Sequence, residues 1–275
     1  VSLRRFVSDD CEMAEFDPLW FLSLIKGQEV VLLGDSLTMQ FFVALVCSLH
    51  GAAPTAARYK IDWAGIADRF GANDCPADNV HCYVGGGTVF YPDYNASITL
   101  YQFPNWVPSY SLAQHFEPGK PGRGDIIVIN FGLHYDNPEK LEADVLRLAK
   151  EYSDIPVEDR PFLLWRETSP QHFGSDGFYT DPTTKCAPTT GLTDPAHVRH
   201  FRVDVPDRIF PSYKVPILRT YKAGSTEWWT HVGKQVDRVD GEAGRHDCTH
   251  FCEPSGVILH WRELFFNALL VASQQ

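Results

Sequence analysis

The sequence predicts an α/β fold with a central, mainly parallel sheet, helices on both faces and long loop insertions. Short apolar runs of strand length alternate along the chain with segments whose apolar residues recur at helical spacing. Three of these runs end at or next to residues that can do chemistry, namely Ser36, Asn130 and Arg166. Because sites in parallel sheets form beyond the carboxyl ends of the strands, this coincidence indicates a functional site at that edge.

The predicted elements follow one another along residues 1–275, which we interpret as a single domain. Glu29–Leu33 is a continuous apolar run closed by a glycine, and Leu37–Leu49 has the spacing of a helix. Further strands are predicted at Ser97–Phe103, Asp125–Asn130 and Phe162–Trp165. Val215–Leu218 is a weaker strand candidate because it contains a proline. Further helices are predicted at Pro138–Tyr152 and Pro254–Ala272. The stretch Gly51–Gly87 is rich in Gly, Pro, Asp and Asn and predicts loops.

Composition limits the classes of partner. Hydrophobic residues make up 44% of the 275 residues, which is enough for a large core, and the net charge of −11 excludes nucleic acid as a partner. No apolar run reaches about 18 residues, so we expect no membrane span in this chain. The seven cysteines lack a C-x-x-C pair and predict up to three disulfides. With the glycosylation sequon at Asn95, they favour the secretory pathway, in the Golgi lumen or outside the cell.

Ser36 is the candidate nucleophile. It follows the first strand in Gly34-Asp35-Ser36-Leu37, at the point where the predicted strand ends and the predicted helix begins. Such a turn exposes the hydroxyl and aims free backbone N–H groups at it, and these can stabilise an oxyanion. The alternative is that Ser36 merely caps the helix.

The candidate base is His250, in Asp247-Cys248-Thr249-His250 just before the last helix. A gap of three residues lets the Asp247 carboxylate turn back to the imidazole, fix its tautomer and leave Nε2 facing a serine. The alternative is a helix-proximal aspartate beside a surface histidine. A zinc site of Cys248, His250 and Cys252 is a further alternative, which would consume the base.

Other polar residues form a secondary set of candidates. The backbone N–H of Ser36 and the side-chain amide of Asn130 are predicted oxyanion donors, although Asn130 also suits a turn. Arg166 ends an apolar strand, where a charge needs either a partner or a ligand. Trp228-Trp229 suits either a sugar platform or the core. The candidate substrate-binding residues are Asp35, Arg166, His134 and His172.

Four blocks carry a resemblance to a known family. They are Gly34-Asp35-Ser36-Leu37, Tyr94–Tyr101, Trp165–Phe173 and Asp247–Gly256. Together they resemble the SGNH/GDSL hydrolase superfamily and, within it, the PC-esterase group that includes plant trichome-birefringence-like polysaccharide O-acetyltransferases. The resemblance implies a three-layer α/β/α, flavodoxin-like fold and a second-block glycine in the oxyanion hole. Gly85, Gly86 and Gly87 are the candidates for that glycine, each of which also suits a turn, and we assign the role to Gly87.

The resemblance also implies serine-dependent acyl transfer to or from carbohydrate, with Ser36, Asp247 and His250 as the catalytic residues. We expect neither a metal nor another cofactor, and the acyl donor stays open. Three functions remain: an O-acetyltransferase, an acetylesterase with the same triad, and a non-catalytic glycan-binding relative.

Overall fold

The structure is a computed structural model. It describes residues 13–61, 67–69, 86–102, 124–174, 177, 179, 184–191, 197, 200–234, 246–252 and 255–274. The strands in these ranges are β1 (Glu29–Gly34), β2 (Ala57–Ile61), β3 (Ala67–Arg69), β4 (Gly86–Tyr91), β5 (Ala96–Gln102), β6 (Ile126–Asn130), β7 (Phe162–Arg166), β8 (Ile217–Leu218), β9 (His231–Lys234) and β10 (His246–Phe251). The α-helices are α1 (Pro18–Leu24), α2 (Ser36–Leu49), α3 (Pro138–Ser153), α4 (Phe201–Ile209), α5 (Tyr221–Gly224) and α6 (Gly256–Ala272).

Eight strands form one sheet in the order β3-β2-β4-β5-β1-β6-β7-β8, and β9 and β10 form a separate antiparallel pair. The five strands β5, β1, β6, β7 and β8 run parallel to one another. The other pairings, of β4 with β5 and β2 and of β2 with β3, are antiparallel. The predicted α/β class with a mainly parallel central sheet is therefore confirmed.

The sheet separates two apolar cores, as expected for helices on both faces. Alternate residues of β1 point to opposite faces because the side-chain period of a strand is two residues. Val30 and Leu32 belong to the core that contains α1, α2 and α6, whereas Val31 and Leu33 belong to the core beneath α3 and α4. This arrangement is a three-layer α/β/α sandwich.

The prediction of loops is wrong for part of Gly51–Gly87, because β2, β3 and the start of β4 lie in this stretch. Gly86 and Gly87 suggest a turn by propensity, yet they pair with Tyr101 and Leu100 of β5. Pairing within a sheet outweighs the low strand propensity of glycine. The proline-bearing segment Val215–Leu218 does contribute β8, but only as a two-residue strand at the edge of the sheet.

Candidate active site

The candidate nucleophile Ser36 is the first residue of α2, directly beyond the carboxyl end of β1. Asp35 is the N-cap, and its Oδ1 accepts hydrogen bonds from the backbone N–H of Leu37 (3.0 Å) and Thr38 (3.3 Å). This caps two of the N–H groups that a helix start leaves without partners. The tight turn requires Gly34, since a Cβ there would lie 2.3 Å from the carbonyl oxygen of Asn130.

Three side chains from distant parts of the chain meet at this turn. His250 Nε2 lies 2.6 Å from Ser36 Oγ, and His250 Nδ1 lies 2.7 Å from Asp247 Oδ2. One ring nitrogen therefore faces the hydroxyl while the other faces a carboxylate. This is the geometry in which an imidazole can accept the proton of a serine.

An irregular segment of β10 brings Asp247 and His250 together. Asp247 pairs with Gly233 and Phe251 pairs with His231, so β10 has two more residues than β9 over this interval. The extra length forms a turn in which Asp247 Oδ1 accepts from the backbone N–H of Thr249 (3.1 Å) and His250 (2.9 Å). The carboxylate thus holds both the backbone and the ring of the candidate base.

Gln40 is a positioning residue that the sequence analysis missed. Its Nε2 donates to the carbonyl oxygen of Phe251 (2.6 Å), and its Oε1 accepts from the N–H of Phe251 (3.1 Å). Gln40 lies four residues after Ser36 on α2, so both side chains share one face of the helix. It therefore fastens the residue after His250 to the helix that carries Ser36. The signal that could have identified Gln40 is its polar side chain directly before the apolar run Phe41–Val46.

The electrostatic surroundings suit His250 as a base. Burial lowers its pKa, but the hydrogen bond and the charge of Asp247, with a contribution from the charge of Asp35, raise it above the ordinary 6.5. Burial raises the pKa of Asp247, and its bonds to His250 and Thr249 outweigh this, so the pKa falls below 3.8. Asp247 is therefore ionised wherever His250 can act.

Two of the three predicted oxyanion donors are placed differently by the structure. The Asn130 amide donates through Nδ2 to the carbonyl oxygen of Arg166 (2.7 Å) and to Thr168 Oγ1 (3.0 Å), so both N–H groups are used. Gly87 is paired with Lys60 on one side and Leu100 on the other, inside the sheet. The oxyanion roles of Asn130 and Gly87 stay predictions. The backbone N–H of Ser36 remains a predicted donor as well.

The side chains of Arg166 and Asp35 are buried. Arg166 is fully buried and lies over the ring of Trp261 at 4.4 Å, with Nη2 3.3 Å from Thr38 Oγ1 and 4.0 Å from Asp35 Oδ1. Burial lowers the pKa of Arg166 to about 10, which leaves it charged at neutral pH. Asp35 is 3% exposed. Both side chains shape the turn from beneath, and their binding of substrate stays a prediction.

The two candidate histidines differ in accessibility. His172 is fully buried, with Nδ1 2.7 Å from His231 Nε2 and Nε2 3.0 Å from the carbonyl oxygen of Ser225, so it does not face a substrate. His134 is exposed in the loop after β6, and its role stays a prediction. Trp229, for which burial was one expectation, is 48% exposed.

The cysteine predictions are tested at one pair. Cys186 and Cys248 form a disulfide, which joins the segment 184–191 to the strand that carries His250. A sulfur in that bond is no zinc ligand, so the alternative site of Cys248, His250 and Cys252 is excluded. Asn95 is exposed in the turn before β5, at the opposite edge of the sheet from Ser36, and its glycosylation stays a prediction. Among the helices of the described ranges, none has both the length and the apolarity to cross a bilayer.

Comparison with known proteins gives a consistent family. Residues 13–144 match PC-Esterase, a GDSL/SGNH-like acyl-esterase family found in Pmr5 and Cas1p. Protein trichome birefringence-like 14 of Arabidopsis thaliana is 22% identical, over 95% of this chain and 74% of its own length. Probable xylan O-acetyltransferase 11 of Oryza sativa subsp. japonica is 21% identical over the same shares. Protein trichome birefringence-like 1 of Arabidopsis thaliana is 21% identical over 96% of this chain and 53% of its own length. The chain is thus similar to the GDSL/SGNH-like PC-esterases and to the trichome birefringence-like proteins, and these similarities support an SGNH-type acetyltransferase or esterase.

Proposed function

We propose that the chain transfers an acetyl group onto a hydroxyl of a polysaccharide or other glycan through an acyl-Ser36 intermediate. The observation that carries the proposal is the contact of 2.6 Å between Ser36 Oγ and His250 Nε2, with Asp247 on the other ring nitrogen. The names of the xylan O-acetyltransferase relatives support a carbohydrate acceptor. The Cys186–Cys248 disulfide supports a location in the secretory pathway or outside the cell.

In the first half-reaction, His250 Nε2 takes the proton of Ser36 as Oγ attacks the carbonyl carbon of an acetyl donor. The tetrahedral intermediate places its oxyanion at the start of α2, where the backbone N–H of Ser36 is the predicted donor. The intermediate collapses, His250 passes the proton to the leaving group of the donor, and acetyl-Ser36 remains. Asp247 stabilises the imidazolium that exists between these two steps.

In the second half-reaction, a sugar hydroxyl loses its proton to His250 Nε2 and attacks acetyl-Ser36. The new ester leaves on the sugar, and the proton returns from His250 to Ser36 Oγ. These steps use only side chains of this chain, a donor and an acceptor. The acyl donor belongs to the class of acetyl esters or thioesters, because its carbonyl must be open to attack by a hydroxyl.

An acetylesterase is the second candidate, since the matched family is described as acyl-esterases. The first half-reaction is identical, and water then replaces the sugar hydroxyl. The two functions differ only in what reaches acetyl-Ser36.

The test incubates the whole chain with a chromogenic acetyl ester and a panel of xylan-type and other oligosaccharides, with Ser36→Ala as the control. Acetylated oligosaccharide together with an acetyl adduct on Ser36 is the expected result. Free acetate as the sole product would replace the transferase by the esterase. Equal product from Ser36→Ala, or glycan binding without any adduct, would overturn serine catalysis and favour a binding protein.

A further inference from the structure

A buried pair of histidines stands directly behind the candidate base. His172 Nδ1 lies 2.7 Å from His231 Nε2, and the two side chains are 0% and 5% exposed. His231 Nδ1 continues the row and lies 3.0 Å from the carbonyl oxygen of His250. The His231 ring also stacks on Phe251, with centroids 4.5 Å apart and planes at 21°. The ring that touches the His250 backbone is therefore held both at its edge and on its face.

The protons available to this pair limit how it can bond. Burial lowers the pKa of His231 to about 3 and also lowers the pKa of His172, so both rings are neutral at pH 7. A neutral imidazole has one N–H, so the pair supplies two donors. Three contacts compete for them, because the carbonyl oxygens of Ser225 and His250 accept only and the contact between the rings also needs a proton.

Two arrangements satisfy the contact between the rings, and each of them leaves one of the two carbonyl oxygens without a donor from the pair. In the arrangement that also holds the candidate base, the proton of His231 lies on Nδ1. The nitrogen of His231 that faces β10 is Nδ1, so its N–H points to the His250 carbonyl oxygen. His231 Nε2 is then an acceptor, and the 2.7 Å contact is made by an N–H at His172 Nδ1.

The other neighbours hold His172 in place. Its backbone N–H donates to the carbonyl oxygen of Cys248 (3.0 Å), and its own carbonyl oxygen accepts from the N–H of Ala187 (3.1 Å). Cys248 forms the disulfide with Cys186, the residue directly before Ala187. The titratable groups that interact with His231 are His172 from the segment after β7 and Asp247 and His250 from β10. The buried pair thus links the disulfide to the backbone of the base.

We propose that His172 and His231 are positioning residues: His172 Nδ1–H sets the tautomer of His231, whose Nδ1–H holds the His250 carbonyl and thereby the His250 ring against Ser36. The kinetic part of this inference rests on the proposed function, whereas the tautomers do not. Neither ring touches the reacting atoms.

The tautomers are read by NMR on protein with ¹⁵N-labelled histidine, using two-bond proton–nitrogen correlations in wild type and in Ser36→Ala. At pH 7 the expected pattern is N–H at Nδ1 and a bare Nε2 in both His172 and His231, unchanged by Ser36→Ala. N–H groups at Nε2 of both rings would overturn the proposal. The measurement involves no turnover, so it tests the tautomers even if the proposed function fails.

The kinetic arm compares His231→Leu with His231→Asn, because the asparagine amide can occupy the position of Nδ1 and still donate to His250. A base displaced by about 1 Å loses on the order of 100-fold in rate, so His231→Leu should lower kcat by about that factor with KM little changed. His231→Asn should recover most of the loss. Equal kcat for the two variants, with equal falls in Tm, would mean that His231 only fills space and would overturn the positioning role.

Discussion

At the scale of single residues, the chemistry depends on how Asp247 sets the charge and direction of one imidazole. The carboxylate accepts from the ring through Oδ2 and from two backbone N–H groups through Oδ1. It therefore raises the pKa of His250 against the effect of burial and also fixes the turn. A base must be neutral to accept a proton, so activity should rise with pH through the raised pKa of His250.

Asp247→Asn separates these effects because it removes the charge and keeps the shape. The pKa of His250 should fall, which moves the acid limb of kcat/KM to lower pH. The maximum should fall by roughly 10³- to 10⁴-fold, since the amide favours the wrong tautomer. A pH–rate profile with the chromogenic ester checks both changes, with Asp154→Asn at the exposed end of α3 as the control. An acid limb that stays in place would contradict the role given to Asp247.

Gln40 offers a second test at this scale. Gln40→Leu leaves the N–H and carbonyl oxygen of Phe251 without their present partners, and a buried polar group without a partner costs about 1–3 kcal/mol. We expect a loss of about 2 kcal/mol in the free energy of unfolding and a fall in kcat of roughly 10-fold or more. Denaturant titration and steady-state kinetics measure the two losses.

Met39→Leu is the matched control for Gln40→Leu, because it changes the neighbouring buried residue of α2 at nearly constant volume. It should cost less than about 1.5 kcal/mol and leave kcat unchanged. If Gln40→Leu lost stability but kept full kcat, the fastening of β10 to α2 would be unnecessary for catalysis.

At the scale of elements, the turn from β1 to α2 is the part of the site with the least room. Gly34 has a φ of +155° and faces two obstacles, the carbonyl oxygen of Asn130 at 2.3 Å and Thr38 Oγ1 at 2.4 Å from an added Cβ. The carbonyl oxygen belongs to β6, which is paired with β1 and cannot retreat. The close approach of two parallel strands thus depends on a residue without a side chain.

Gly34→Ala should therefore destabilise the chain by about 2 kcal/mol or more, because overpacking forces backbone shifts. Since the shift would occur next to Ser36, the rate of acylation should fall as well. Gly51→Ala is the control: an added Cβ there meets nothing within 4 Å. It should change the free energy of unfolding by less than about 0.5 kcal/mol or raise it slightly. Chemical denaturation of both variants decides, and equal stabilities would contradict the crowding at Gly34.

The elements around the nucleophile could be predicted because their signals are local. β1, β6 and β7 are continuous apolar runs, and the structure places each within about one residue of its predicted bounds. The pair β9 and β10 was missed because its strands hold few apolar residues and one of them is irregular. Its position depends on contacts with α2 and with the segment after β7, which no window of adjacent residues contains.

At the scale of the whole molecule, Ser36, Asp247 and His250 could be proposed together because each belongs to a short recognisable block at an element boundary. Arg166 and His172 could not be placed in the same way. A charge or an imidazole at the end of a strand has the same local signature whether it faces solvent or lies buried under a ring. Trp261 covers Arg166 from the last helix, 95 residues further along the chain, so only the assembled fold distinguishes the two cases.

The Cys186–Cys248 disulfide acts at this largest scale, because it closes a span of 62 residues that includes α4, α5 and β9. In the chain-entropy description, a closed span of this length stabilises the folded state by about 4 kcal/mol. The double variant Cys186→Ser/Cys248→Ala should lose about that much free energy of unfolding, measured by denaturant titration. It should also lose activity at lower temperature than wild type, since His172 and His250 are both tied to this bond.

Thr189→Ala separates the disulfide from general sensitivity of its segment. Thr189 lies three residues after Cys186, and its hydroxyl donates to the carbonyl oxygen of Gly174 at 3.2 Å. Losing that hydrogen bond should cost about 1 kcal/mol, well below the loss in the double variant. If the double cysteine variant lost no more free energy of unfolding than Thr189→Ala, packing rather than the disulfide would hold the span. The catalytic turn would then stay in place without the covalent bond.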